Sequence, residues 1–364
     1  MKKIYFVITS MTGGGAEKVI THLLNNLSRK KFQPTLILFR KEGPNLKLIK
    51  DDVEIIDLKS PRTRDGIIKL IKILIKDKPD FLFSSLGPLN ATISPFLFLL
   101  KGTKKIARET NIPSYIHNMK INQGNKLFYI VKLLYKTFYK KYDLIIAQSD
   151  DMKEDLIINY GFKESQIIKI NNPIDFEMLA IKTLENSKNP LDTRKINLVS
   201  AGRLTHQKGL DMLIDQMSTI KTLDVKLTIL GTGELEGALK NRVKKLNLED
   251  KIDFLGYQEN PYPYFKNSDI FVLPSRIEGF SNVALENLGL GKPILANDFK
   301  GGINEMIVNG LNGKIIDYNV YDFEEAIKEV MCYKKNSKEI LKDAKKRFGK
   351  NKIIKNYEIV LEKI

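Results

Sequence analysis

Glu278 and Glu286 stand eight residues apart in a stretch, residues 269–298, whose residue types point to chemistry. Its pattern predicts a strand over Ile270–Pro274, a polar loop, a helix over about Asn282–Leu290, a Gly-Lys-Pro turn and a second strand over Pro293–Asn297. Gly279 lets the backbone pass close to a ligand, and Ser281 and Asn282 are natural helix starters. A helix N-terminus at the carboxyl ends of parallel strands favours an anion. Two acids beside an anion site make sense when the ligand also carries hydroxyls that need strong acceptors. Sugar nucleotides carry both.

The segment EGFSNVALE (278–286) with its Gly-Lys-Pro turn resembles the Glu-seven-residues-Glu motif of family 4 retaining glycosyltransferases, which have the GT-B fold. The likeness continues upstream in SAGRLTHQKGLDMLI (200–214) and downstream in FKGGINEMIVNGLNGKII (299–316), in the order that family uses. It is strong from Ile196 to Asp317 and weaker before.

The resemblance implies roles for residues whose chemistry suits them. Glu286, on the helix, suits a bidentate contact to ribose hydroxyls, and Glu278 suits a place beside the transferred sugar and its positive anomeric carbon. Backbone N–H groups of Phe280, Ser281 and Asn282, next to Gly279, would cap the diphosphate together with Arg203 and Lys208. Charge-assisted contacts of that kind contribute roughly 1.5–3 kcal/mol each. His206, between the two cations, is expected in solvent. The loop around Tyr257 and Gln258 would frame the base, although the tyrosines at 257, 262 and 264 serve local packing equally well. Gly301, Gly302 and Glu305 resemble the pattern of relatives acting on acetamido sugars.

In the first half, the loop Gly13, Gly14 and Gly15 follows a buried strand and precedes a helix from about Ala16, an arrangement that opens the backbone to a phosphate or sugar. Many relatives carry a histidine after the strand KKIARET. Here Arg108, Glu109, Thr110 and Asn111 stand in its place, with His117 further on. Arg108, Glu109, Asn111 and His117 are therefore the acceptor-side candidates, His117 being on its own the type of a surface loop residue.

These residues need a frame that repeats strand and helix. Apolar runs PTLILFR, VEIIDL, DFLFSS, KKIARET and DLIIAQS alternate with helical stretches, which predicts a doubly wound α/β sheet. The polar, Pro190-bearing stretch Thr183–Lys195 reads as a linker, after which INLVSAG opens a second such unit. The expected organisation is GT-B: two Rossmann-like doubly wound domains facing a central cleft. It comprises an acceptor-side domain over 1–190, a nucleotide-sugar domain over 191–340, and a helix over 341–364 crossing back to the first. One long basic helix is expected from about Ser337.

The 364 residues are enough for two domains with real cores, and the apolar fraction of 43% is that of a globular chain. A single cysteine, Cys332, excludes an internal disulfide. No apolar run approaches the roughly 18–20 residues of a membrane span. The expectation is a soluble cytoplasmic protein, at most peripheral on the inner face of the cytoplasmic membrane. With three histidines, one cysteine and no Asp-x-Asp, no metal site is expected and no cofactor beyond the donor itself.

The net charge of +17 is uneven: residues 1–190 carry 32 Lys and Arg against 19 Asp and Glu, and residues 191–364 carry 28 against 24. A basic field attracts nucleic acid or an anionic membrane surface, and no nucleic-acid-binding module is present. A lysine-rich composition in general would also produce it. In DGIIKLIKILIK, Ile67, Leu70, Ile71 and Leu74 share one helical face, opposite Lys69, Lys72 and Lys76. In residues 125–143 the expected stripe is Leu127, Ile130, Val131, Leu134 and Phe138, widened by Phe128, Tyr135, Tyr139 and Tyr142, with Lys132, Lys136 and Lys140 on the far side. Such a helix faces a core or lies on anionic lipid.

The reading is thus a retaining, metal-independent transferase moving a hexose or N-acetylhexosamine from a UDP-sugar to a lipid-linked or polysaccharide acceptor in cell-surface glycan synthesis. A sugar-nucleotide epimerase of the same fold and a catalytically silent partner protein are the alternatives.

Overall fold

The computed structural model describes residues 1–185 and 189–364. The expected linker Thr183–Lys195 runs in part through residues 186–188, which lie outside the described residues. The chain divides into two compact units, Met1–Pro173 with Lys350–Ile364, and Ile174–Gly349.

The first unit runs β1 (Lys2–Ile8), α1 (Gly15–Asn26), β2 (Phe32–Leu38), β3 (Glu54–Asp57), α2 (Thr63–Asp77), β4 (Phe81–Ser85) and α3 (Gly87–Ile93). It continues with β5 (Lys104–Arg108), α4 (Pro113–Asn122), α5 (Leu127–Thr137), β6 (Leu144–Ala147), α6 (Asp150–Tyr160) and β7 (Ile167–Lys169). Its seven strands form one sheet in the order β3-β2-β1-β4-β5-β6-β7, every described pairing parallel. Strands buried on both faces are near-continuous apolar runs, as in KKIYFVI and FLFSS. Side chains that alternate along β1 enter opposite cores, Tyr5 and Val7 on one face, Ile4, Phe6 and Ile8 on the other.

The second unit begins with α7 (Phe176–Leu184), β8 (Ile196–Ala201), α8 (Leu210–Thr219), β9 (Val225–Leu230), α9 (Glu236–Lys245), β10 (Ile252–Gly256) and α10 (Tyr262–Asn267). It closes with β11 (Ile270–Leu273), α11 (Asn282–Leu288), β12 (Ile294–Asn297), α12 (Ile303–Met306), β13 (Gly313–Ile316), α13 (Phe323–Met331) and α14 (Ser337–Phe348). Six parallel strands take the order β10-β9-β8-β11-β12-β13. The chain winds outward from β8 to β10, then starts again beside β8 with β11. That reversal leaves the loops after β8 and β11 as neighbours that lead to opposite edges.

Three expectations change. The division falls at Pro173 rather than near 190, because α7 packs on α10 of the second unit, where Asn260 Nδ2 also donates to the Lys182 carbonyl at 2.8 Å. The single basic helix from Ser337 is two helices, α14 and α15 (Lys350–Lys363), separated at Gly349, which leaves helical conformation (φ −56°, ψ 135°). Ile174 bridges Gly349 there, its N–H donating to the Phe348 carbonyl at 2.8 Å. The second of these helices belongs to the first unit. Ile353, Ile354, Tyr357 and Leu361 enter its core, and the Tyr357 ring lies 6.1 Å from that of Phe83.

The third change concerns α5. Helix α2 buries the face expected of it, Ile67, Leu70, Ile71 and Leu74. On α5 the tyrosines win the interior instead: Val131, Tyr135, and beyond the helix Tyr139 and Tyr142 are buried, whereas Leu127 and Ile130 are 61% and 54% exposed. Tyr129 and Leu133 are also exposed. The cause is polar. Tyr135 and Tyr139 both donate to the buried carboxylate of Glu109, partners that a leucine stripe does not supply. Phe98 is exposed as well, and the Lys141 ammonium lies 5.4 Å from its ring and 5.1 Å from that of Phe138.

Truncating Tyr357 to Ala removes a buried ring and the phenol that Arg108 Nε donates to at 3.3 Å. The expected loss is about 3–5 kcal/mol, read from urea unfolding. A loss under about 1 kcal/mol would mean that α15 is not part of the first unit's core.

Candidate functional site

In the second unit the loops after β8 and β11 are stitched together. Arg276 donates from its backbone N–H to the Gln207 carbonyl (2.8 Å) and from its guanidinium to both carboxylate oxygens of Asp211 (2.8 and 2.6 Å). Gln207 Nε2 returns a bond to the Ile277 carbonyl at 3.0 Å. This lattice fixes Lys208, in the turn before α8, against Glu278 in the loop before α11. Lys208 Nζ forms an ion pair with Glu278 Oε1, and Ser275 Oγ donates to the same oxygen at 2.9 Å. Both partners are mostly buried, with side-chain exposures of 20% and 11%.

The loop after β12 closes on the same place. Gly301 has φ +141°, and a Cβ there would lie 1.9 Å from the Glu278 carbonyl oxygen. Only glycine allows that approach. The Gly302 N–H then donates to the Gly279 carbonyl at 2.9 Å. Asn297 Nδ2 holds the Ser275 carbonyl at 3.2 Å.

Glu286 is buried on α11, and Tyr262 Oη donates to its Oε1 at 3.3 Å. The helix starts at Asn282 as expected and ends two residues early, at Leu288. Ser281 precedes it without capping through its side chain, and its buried Oγ meets no hydrogen-bond partner among the described residues. The Phe280 ring is buried against that of Phe348, centroids 5.6 Å apart, so only its backbone faces a ligand. Arg203 and His206 are exposed at the start of the loop.

The structure therefore brings Lys208, Glu278 and Gly279 together and sets Phe280, Ser281, Asn282 and Glu286 on the helix that follows. Of the two proposed base-framing residues, Tyr257 is largely exposed, and Gln258 Nε2 folds back onto the Leu255 carbonyl at 2.8 Å. Sequence reasoning missed Ser275, Arg276 and Asp211, none of which belongs to a recognisable motif. It left Tyr262 undistinguished among three tyrosines, since only burial separates them.

In the first unit the glycine loop Gly13–Gly15 is exposed at the carboxyl end of β1, and Gly13 takes φ +100°. The expected acceptor-side residues lie mostly inside. Arg108 is fully buried, donating to Asn172 Oδ1 at 2.6 Å and to Tyr357. Asn111 is partly exposed, with its Oδ1 buried and without a partner among the described residues. His117 is not a surface loop residue. It sits on α4, buried among Phe128, Tyr135 and Tyr160, with Nδ1 2.6 Å from Tyr160 Oη. Burial, then the charge of Lys132, lowers its pKa to about 4, so it is neutral at physiological pH. Burial pushes Glu109 up to about 7, against the tyrosine hydroxyls that favour its anion.

Among the described residues no group of three or more His, Cys, Asp or Glu is placed to hold a metal ion, and no helix is long and apolar enough to cross a membrane.

Comparison with known proteins agrees with this architecture. Residues 181–347 match the family described as glycosyl transferases group 1, and residues 13–178 match glycosyltransferase family 4. The chain is 31% identical to the N-acetylgalactosamine-N,N'-diacetylbacillosaminyl-diphospho-undecaprenol 4-alpha-N-acetylgalactosaminyltransferase of Campylobacter jejuni, over 87% of this chain and 86% of that protein. It is 34% identical to an uncharacterized glycosyltransferase of Methanocaldococcus jannaschii over 70% of this chain, a match that spans 64% of that relative's length. Among solved structures, Anabaena HepE in complex with UDP-glucose superposes with a TM-score of 0.79 over the whole of both chains at 18% identity, a likeness of fold. The chain belongs to glycosyltransferase family 4. It is a glycosyltransferase built of two Rossmann-like units of the GT-B type.

The Glu109 shift sets a pH dependence. Its folded pKa of about 7 lies above its ordinary 4.5, so the folded state holds the proton more tightly. The stability this contributes is complete below about 4.5 and is lost as pH rises to about 7. Over that range the wild type should lose up to about 3 kcal/mol relative to Glu109→Gln, then run parallel to it. His117 acts in the opposite sense between about 4 and its ordinary 6.5, but it is present in both proteins and cancels in the difference. Urea titrations across this range that give a constant difference would place Glu109 in a more hydrated environment.

Proposed function

We propose that the protein transfers a hexose or N-acetylhexosamine from a UDP-sugar to a lipid-linked or polysaccharide acceptor in cell-surface glycan synthesis, with retention at the anomeric carbon and without a metal. The observation that carries this is the Lys208–Glu278 pair held at the strand-order reversal, beside the unpartnered Ser281 hydroxyl and the helix bearing Glu286. In this reading the ribose hydroxyls donate to Glu286, which Tyr262 orients. The β-phosphate takes Lys208 and Arg203 as counter-charges, stabilising the negative charge that develops as the glycosidic C–O bond breaks. Glu278 then accepts from sugar hydroxyls and faces the electron-poor anomeric carbon. The acceptor hydroxyl attacks from the face the diphosphate leaves, and the departing phosphate oxygen takes its proton.

Support for the substrate classes comes from relatives. The Campylobacter enzyme is named for an undecaprenyl-diphosphate-linked acceptor, and HepE was solved with UDP-glucose. The outer face of α5 supports a peripheral site on the inner face of the cytoplasmic membrane. It exposes Leu127, Tyr129, Ile130 and Leu133 beside exposed Lys126 and Lys136. Tyrosine, leucine and lysine in that mixture suit the lipid headgroup boundary, where each lysine contributes ~1 kcal/mol on anionic lipid.

Two measurements test these readings. UDP at about 100 times its dissociation constant should stabilise the wild type by ~2.7 kcal/mol in a thermal-shift assay, unchanged by EDTA and lost in Lys208→Ala. No shift with any nucleotide would remove the donor assignment. In sedimentation with anionic vesicles at low salt, wild type should pellet and the Ile130→Asp/Leu133→Asp variant should remain in the supernatant. Equal partition of the two would exclude α5 as the contact.

A further inference from the structure

The end of the second sheet opposite the Lys208–Glu278 site holds a cavity of about 280 Å³ between the amino-terminal halves of β8, β9 and β10. Asn197, Thr228, Asp253 and Leu255 line it from the strands, and Leu191 and Asp192 from the segment entering β8. Asn197 and Gly202, at the two ends of β8, are about 16 Å apart along the strand. The cavity is therefore separate from the loops that carry the donor site.

Asn197 supplies the reason to expect a ligand. It is 4% exposed, and its Nδ2 donates to the carbonyls of Asp192 and Lys195 at 2.8 and 2.9 Å. Those two bonds fix which end of the amide is which. The Oδ1 is left buried at the cavity with no donor among the described residues. One water would meet that oxygen, but its ~30 Å³ share is a small part of the space. The volume approaches the roughly 300 Å³ at which small-molecule sites begin.

Charge decides the ligand class. The cations lining the cavity are already neutralised: Lys195 pairs with Asp224 at 3.0 Å and Lys226 with Asp253 at 2.9 Å. Asp192 is held by Arg194 at 2.9 Å, and Lys226 also donates to the Asp250 carbonyl at 2.9 Å. An anion finds no uncommitted cation among these residues. No group here is placed to hold a metal ion. What the lining offers is acceptors at Asn197 and the aspartates, ammonium donors, and the apolar side chains of Leu191 and Leu255. Those match a neutral ring with hydroxyls on its rim and C–H groups on its faces.

We propose that this cavity is a second saccharide subsite, which holds a neutral sugar through its hydroxyls at Asn197 Oδ1, away from the site of transfer. Choosing a sugar among neutral hydroxylated rings rests on the function proposed above. Within that function, the subsite gives a glycan a second hold on the protein.

The test is saturation-transfer NMR on glucose, galactose and N-acetylglucosamine at about 10 mM, the range of a weak subsite, with glucuronate as the charged comparator. UDP is kept saturating throughout. At least one neutral sugar should give signals that persist with UDP and fall about tenfold, or 1.4 kcal/mol, in Leu255→Trp, which fills the cavity from a partly exposed position. Thr228→Val, which removes a lining hydroxyl at nearly constant volume, should weaken them as well. Retention of the UDP-induced thermal shift in both variants shows that they are folded. Absence of signal for every neutral sugar, displacement by UDP, equal signals from glucuronate, or signals unchanged in Leu255→Trp would each overturn the proposal. If UDP gives no thermal shift in the wild type, the donor assignment fails, while the response to Leu255→Trp still reads the cavity.

Discussion

A parallel sheet cannot turn back on itself, and that constraint organises both units. Each strand must be followed by a crossover on one face before the next begins, so every strand ends at the same edge. The loops at that edge are the places where sequence is free of the apolar pattern that buried strands require. In the second unit the constraint has a sharper result. Order reverses between β8 and β11, so the loops after them lie side by side while their helices depart to different faces. Lys208, Ser275 and Glu278 converge there because of the winding, although about 70 residues of chain separate Lys208 from Glu278.

Position alone does not make a reactive site, since loops are free to move. Here the freedom is removed by polar cross-links rather than by packing. Arg276 grips Asp211, Gln207 binds the Ile277 carbonyl, and Gly301 admits the Glu278 backbone where any side chain would collide. The lysine and glutamate are thereby ordered before a ligand arrives. Pre-organised charges stabilise charge that develops in a reaction without the cost of reorienting dipoles. Their mutual pairing also offsets the desolvation that each would suffer alone.

How far the sequence could be read depended on whether local pattern or distant polar partners decided the outcome. Strands of seven or fewer apolar residues, helix α2 and the order of strand and helix were legible because burial period alone fixes them. So was the neighbourhood of Lys208, Glu278 and Glu286, through motif spacing. Helix α5 was not, because two stripes of similar hydrophobicity competed. The tyrosine stripe prevailed through Glu109, a residue 26 positions from Tyr135 whose role no window of helix periodicity contains. The break at Gly349 was hidden for a similar reason: its partner, Ile174, lies at the other end of the second unit. His117 looked like a loop residue for want of an apolar pattern in α4, yet its aromatic neighbours come from α5 and α6.

The two units also place their charges differently, and that difference bears on where chemistry can occur. The first unit turns Arg108, Glu109 and His117 inward and satisfies them with neutral groups, namely asparagine, serine and tyrosine hydroxyls. A charge so enclosed is spent on holding β5, α4, α5 and α15 in register with one another. Removing one partner would leave an uncompensated polar group in the core, so such residues are constrained by the fold itself. In the second unit Arg203 stays in solvent, and Lys208 and Glu278 sit at a rim where either can exchange its partner for a ligand atom. An incoming diphosphate replaces the Glu278 carboxylate with a more highly charged anion on Lys208, and frees that carboxylate to accept from hydroxyls. Exchange of partners without exposure of an unpaired charge is what makes the pair suitable for a ligand that carries both a diphosphate and a sugar.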